Sequence, residues 1–204
     1  MTAIVELHLA GPSEPWAAVG LTIVDGRSWI GNVALRFVAP VGDEPRLVGW
    51  TLAGSPTTPA DIDGIPTIYD DPLELQSWQH ALGAIAFDHV VVSTNSLDRT
   101  CGAISDATGE PLKRIRDLGS IRQGFHRLGA MIVEVVESSR TEADTASLWG
   151  FVLNVTDLHD VADRLGPDLL SPPKAAVQPG RFIASFRPDA GLGLPIALMT
   201  PHVR

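Results

Sequence analysis

Glu134 stands in the middle of an apolar run, Met131-Ile132-Val133-Glu134-Val135-Val136. A carboxylate in such a segment is costly unless it is paired, hydrogen-bonded, metal-bound or protonated. It needs a partner, and the best candidate is His89, in a second apolar run, Phe87-Asp88-His89-Val90-Val91-Val92. Strand alternation places Phe87, His89, Val91 and Ser93 on one face and Asp88, Val90 and Val92 on the other. An imidazole nitrogen and a carboxylate oxygen suit a divalent ion such as zinc, nickel, iron or manganese. Two ligands are too few for a catalytic zinc, which keeps three protein ligands and an open position. Gln123, His126 or Gln178 could supply a third. Without a metal, the same residues make a hydrogen-bonded pair in a polar pocket. Glu134 would then serve as a general base, with a pKa raised by burial. An edge-strand glutamate without a role is the third reading. Arg36 lies in an apolar run too and could be the counter-ion of Glu134. The residues alone leave these alternatives open.

Other side chains extend the candidate site. Arg181 follows Val177-Gln178-Pro179-Gly180 and could fork onto an anionic substrate, or bond only local carbonyls. His126 and Arg127 are strand neighbours, so one of them could face the site. Arg181, Gln178, His126 and Gln123 form the expected substrate-binding set. His80 could reach the site from the preceding segment or merely end a helix. Cys101, the single cysteine, lies in an apolar helical pattern and reads as inert. The five tryptophans read mostly as core, with some free to line an apolar pocket. Asp61-Ile62-Asp63-Gly64 starts like a calcium loop but lacks the glutamate spacing. There is no phosphate-binding glycine loop, serine elbow or dinucleotide fingerprint.

These residues need strands to position them. Short Val-, Ile-, Leu- and Phe-rich runs occur at 4–10, 33–38, 48–53, 87–94, 130–136, 151–155, 181–186 and 196–200, and their length suits strands. Helices are expected at 97–108, between Ser96 and Gly109, at 157–165, between Thr156 and Gly166, and briefly near Pro15. Residues 55–84 are rich in turn formers and read as a connection, with a short helix near Leu73–His80. The order is α+β, not alternating α/β. The 204 residues carry 15 basic and 24 acidic side chains, for a formal charge of -9. That argues against nucleic acid as a partner. No apolar run is long enough for a membrane span. No secretory signal is visible, so the expected location is cytoplasmic.

The chain also repeats itself. Leu128-Gly129 to Val136 has a counterpart in Ile30-Gly31 to Val38, with each glycine five residues before Glu134 or Arg36. Val48-Gly49-Trp50-Thr51-Leu52 matches Trp149-Gly150-Phe151-Val152-Leu153, and His89 and Gly150 precede Leu97 and Leu158, each beside a helix start, by eight residues. Residues 85–140 and 147–204 look like full strand-helix-strands copies, and residues 1–54 like a shortened one.

This pattern resembles the vicinal oxygen chelate superfamily, which includes glyoxalases, bleomycin-resistance proteins and extradiol dioxygenases. The resemblance rests on Phe87 to Asp98, Phe125 to Val136, Leu148 to Leu158 and Gly193 to Pro201. It implies paired βαβββ modules curled into a mixed-sheet cup at 85–204, after a degenerate half-copy at 1–54 and a connection at 55–84. It further implies a ligand on the first and last strand of each module: His89 and Glu134 in one, but Gly150 and Ala197 in the other, where neither can bind a metal. The implied function is binding or conversion of a small oxygen-rich or carbonyl-containing molecule. One divalent ion, or none, would assist lyase or isomerase chemistry at Glu134 and His89. The alternatives are an antibiotic-type binding protein without a metal, favoured by the missing ligands, and a descendant with a closed pocket. Members of the superfamily often pair modules between chains, so a homodimer is a further expectation.

Overall fold

The computed structural model describes residues 1–71, 76, 78–139 and 141–202. The N-terminal part contains β1 (Ala3–Ala10), α1 (Glu14–Ala18), β2 (Arg27–Ile30), β3 (Val33–Val38), β4 (Arg46–Ala53), β5 (Asp61–Ile62) and β6 (Ile65–Tyr69). There follow β7 (Ala84–Thr94), α2 (Leu97–Thr108), β8 (Arg114–Asp117), β9 (Ile121–Leu128) and β10 (Met131–Ser138). The last group is β11 (Ser147–Val155), α3 (Leu158–Leu165), β12 (Lys174–Ala175), β13 (Phe182–Ser185) and β14 (Ile196–Met199). Local chemistry sets the helix ends. The Ser96 side chain accepts from the Arg99 amide, and Gly109 closes α2 in the left-handed region at φ 71°, where glycine carries no Cβ penalty. For α3 the cap is Asp157 rather than Thr156, accepting from the amides of His159 and Asp160.

The strands form two sheets. The larger has the order β12-β13-β14-β11-β7-β10-β9-β8, the smaller β2-β3-β1-β4-β6-β5. In the larger sheet the first and last strands of each module pair in parallel, β7 with β10 and β11 with β14. The two modules join through antiparallel β7 and β11. These are paired βαβββ modules in a mixed-sheet cup, the glyoxalase-like arrangement that the resemblance implies.

The smaller sheet repeats this plan, and β1 relates to β3 and β4 as β7 does to β10 and β11. β6 runs parallel to β4, as β14 does to β11. The register irregularities repeat as well: one falls between Ile4 and Glu6 and another between Phe87 and His89. On this mapping Glu6 takes the place of His89, and Arg36 that of Glu134. Among the described residues the smaller sheet has no counterparts of β8, β12 and the second helix. The stretch 55–84 is therefore more than a connection, since β5 and β6 complete a second shortened module there. Half of the helix expected near Leu73–His80 falls outside the described residues, and Trp78–His80 are not helical.

One core runs through both sheets. Trp16 of α1 stacks on Phe151 of β11 with ring centroids 5.7 Å apart. Phe151 in turn meets Phe87 at 5.1 Å. Trp16, Trp29 and Trp50 are buried, while Trp149 is 54% exposed. Among the described residues no helix is long and apolar enough to cross a membrane.

Candidate active site

The site begins with a β-bulge. Phe87 pairs with Leu153 and His89 with Val152, so Asp88 is an extra residue on β7. A bulge re-aims side chains that a regular strand would alternate. Phe87 therefore turns into the core against Phe151, not to the face of His89. Asp88, expected on the far face, hydrogen-bonds His89: Nδ1 lies 2.8 Å from Oδ2.

Five side chains then form a line across the sheet. Arg181 donates to Asp88 Oδ1 at 2.6 Å. His89 Nε2 lies 3.5 Å from Glu134 Oε2. Gln123 donates to Glu134 Oε1 at 2.6 Å, and its own Oε1 is buried without a hydrogen-bond partner. Arg181 also donates to Asn154 Oδ1 and to the Thr200 carbonyl. Burial alone would raise the Asp88 pKa, but hydrogen bonds and charge from His89 and Arg181 bring it down to about 2. Asp88 is thus a carboxylate that can only accept, so His89 carries its proton on Nδ1. Burial raises the pKa of Glu134, opposed in part by His89 and Arg116.

Two open cavities share this site. One, of about 400 Å³, is largely apolar, with Val91, Trp149, Val152, Phe186 and Ile196 in its walls. The other, of about 750 Å³, lies toward Arg114, Arg116, Lys174 and Gln178. His89, Gln123, Glu134 and Ile183 line both. The cup is open, which overturns the closed-pocket expectation.

The expected site residues divide into those the cup gathers and those it does not. His89, Glu134 and Gln123 meet, and Gln178 lines the larger cavity. Arg181 lines neither cavity. It is 2% exposed and holds Asp88, where a substrate-binding fork was expected. His126 corrects another expectation. It pairs with Val133, one residue out of phase with Glu134, and so points to the opposite face. There it is 1% exposed, with Nδ1 3.3 Å from the Glu110 carbonyl oxygen, and burial lowers its pKa. His80 also stays away from the cup, between the Thr22 amide and the Trp29 carbonyl. Arg36 is not the counter-ion of Glu134. It lies 3.9 Å from Glu6, which Arg27 binds at 2.7 Å. Burial opposes ionisation of Glu6, but contacts with His8 and Arg27 outweigh it and lower the pKa to about 2. The position equivalent to the site is thus filled by an ion-pair cluster in the smaller sheet.

Sequence reasoning missed Asp88, Arg114, Arg116 and Lys174, and it left open which tryptophan lines the pocket, which is Trp149. The spacing of Arg114 and Arg116, two apart in a strand, was the available signal. Nothing local marks a bulge at Asp88.

The donor set can be tested against a divalent ion. Among the described residues no group of three or more His, Cys, Asp or Glu converges. His89 and Glu134 provide two donors of those types, and Asp88 is already engaged by His89 and Arg181. At Gly150 a Cβ would overlap the Pro195 carbonyl oxygen, so no ligand side chain can stand there. A catalytic zinc keeps three protein ligands, and the third candidate beside this pair is the carboxamide oxygen of Gln123, which is buried and unpartnered.

The fold of this chain is glyoxalase-like, an arrangement of paired βαβββ modules. No protein-family model and no curated protein matches the chain. Among solved structures it is similar to a mutant of 4-hydroxymandelate synthase from Streptomyces coelicolor. That likeness has a TM-score of 0.65 at 13% identity and covers 99% of this chain and 93% of that one. It is also similar to methylmalonyl-CoA epimerase from Mycobacterium tuberculosis, with a TM-score of 0.51 at 17% identity over 62% of this chain and 94% of that one. At these identities the likeness concerns the fold alone.

Proposed function

We propose that the cup binds a small carbonyl-containing molecule and that Glu134 and His89 move a proton at the carbon beside the carbonyl. The carrying observation is the line from Arg181 through Asp88 and His89 to Glu134. Asp88 fixes Nδ1 as a donor, which turns Nε2 toward Glu134 and the cavities. The reaction uses one further proton, on Nε2. With that proton on Nε2, the Glu134 carboxylate takes a proton from the substrate carbon. Nε2–H meanwhile hydrogen-bonds the oxygen on which negative charge develops. Returning the proton at another face or position completes an isomerisation, and loss of a leaving group completes a lyase reaction.

Solvent-deuterium exchange into a panel of 2-oxo acids and acyl thioesters, followed by proton NMR, tests this reading. The wild type should exchange the α-hydrogen of at least one compound, and Glu134→Gln should slow that exchange by about 100-fold or more. Exchange equal in wild type and variant would remove Glu134 as the base. Binding without chemistry is the second reading, favoured by the absence of ligating side chains at Gly150 and Ala197. It is the better account if compounds bind and none exchanges.

A further inference from the structure

The two cavities differ in chemistry, and the reacting pair lies where they meet. On one side the walls are apolar, from Val91 and Trp149 to Ile196. On the other stand Arg114, Arg116 and Lys174, in a chain whose formal charge is -9. Glu134 is the one Asp or Glu among the described residues lining either cavity. Among the described residues none of the three cations has an ion-pair partner. Arg114 instead lies over the Phe125 ring, 4.8 Å from its centroid. The cations come from β8 and β12, the two edge strands of the larger sheet, which face one cavity from opposite ends of the strand order. These are the two strands without counterparts in the smaller sheet. Unpaired cations grouped around a concave site, on a protein of opposite net charge, attract and orient an anion.

We infer that the ligand is an amphipathic oxyanion. Its apolar group lies against Trp149, its carboxylate or phosphate is held by Arg114, Arg116 and Lys174, and its carbonyl carbon stands at His89 and Glu134. This deepens the proposed reaction and rests on it for the place of the carbonyl. The two compartments have the size of ordinary small-molecule pockets, and their contrast sets the direction in which the ligand lies.

The test is binding, by calorimetry, of 2-oxooctanoate, its neutral methyl ester and hexyl phosphate. At least one anion should bind about 10-fold or more tightly than the ester, a difference of about 1.4 kcal/mol. Whichever anion binds better identifies the oxyanion. The double variant Arg114→Gln/Arg116→Gln should cut the affinity for that anion about 10-fold and leave the ester unchanged. Both positions are on an edge strand, Arg114 exposed and Arg116 half-buried, so the variant is expected to fold. Trp149 emission should shift on binding, and Trp149→Phe should abolish that shift. Equal affinity for ester and anions, or no saturable response to any of the three, overturns the inference. The same titrations on Glu134→Gln protein separate the two proposals, because anion binding by this variant stands whatever deuterium exchange shows.

Discussion

Asp88 and His89 are neighbours in the chain, yet their side chains meet at 2.8 Å. A regular strand would send them to opposite faces. The bulge on β7 joins them, and Arg181 anchors the result from the far end of the chain. The proposed chemistry depends on this contact, because it fixes which imidazole nitrogen faces Glu134.

Breaking the anchor should therefore be costly. Arg181→Met leaves the Asp88 carboxylate buried without its guanidinium, at an expected loss of about 3–5 kcal/mol. Urea denaturation of wild type and variant at pH 7 measures the loss.

Asp88 should also leave a mark on acid stability. Its folded pKa is about 2, below the ordinary 3.8. The stability that it contributes is present above the unfolded pKa and lost as pH falls through about 2. Asp88→Asn should thus be less stable than wild type by about 2 kcal/mol at pH 7, and the gap should narrow between pH 4 and pH 2. A constant gap would show that the carboxylate charge is not what stabilises the contact.

Glu134 has the opposite sign. Burial raises its folded pKa above 4.5, so the cost of ionising it appears as pH rises through the folded value. Glu134→Gln should melt a few degrees above wild type at pH 8, at about 2–4 °C for each kcal/mol in a chain of this size. The two should melt together at pH 4. Thermal scans at both pH values decide this.

Gly150 has no room for a side chain. A Cβ there would overlap the Pro195 carbonyl oxygen, and at the equivalent Gly49 it would lie 2.6 Å from the Pro66 carbonyl oxygen. Both obstacles are backbone, so neither can swing aside. Gly150→Ala should cost about 3 kcal/mol, the upper end for overpacking, and Gly49→Ala should be destabilising in the same direction. Melting temperatures of the two variants check the equivalence of the sheets.

Cys101 should be silent in the folded protein. It is 3% exposed, and burial raises its pKa to about 11. Only the thiolate reacts. Alkylation by iodoacetamide at pH 8 should be undetectable until denaturant unfolds the chain.

Much of the framework was legible in local sequence. Period and length placed the strands around His89 and Glu134, and Ser96 with Gly109 bounded α2 as expected, because caps act on the nearest backbone groups. The apolar setting of Glu134 pointed correctly to a partner, since an unpaired buried carboxylate is costly in any fold. Repeated glycines at Gly49 and Gly150 marked equivalent positions, because both lie beneath a proline carbonyl.

The rest depended on contacts between distant segments. An extra residue at Asp88 has no local signature, since a bulge is defined by its partner strand. Arg181 could not be told from a surface arginine until β7 and β13 joined one sheet. His126 went to the core face because its register with Val133, not its residue type, sets its direction. Arg114, Arg116 and Lys174 became one cationic wall only when two edge strands 60 residues apart came to line the same cavity. Local sequence thus specified the segments and the need for a partner, whereas the pairing of remote strands chose the partner and shaped the cup.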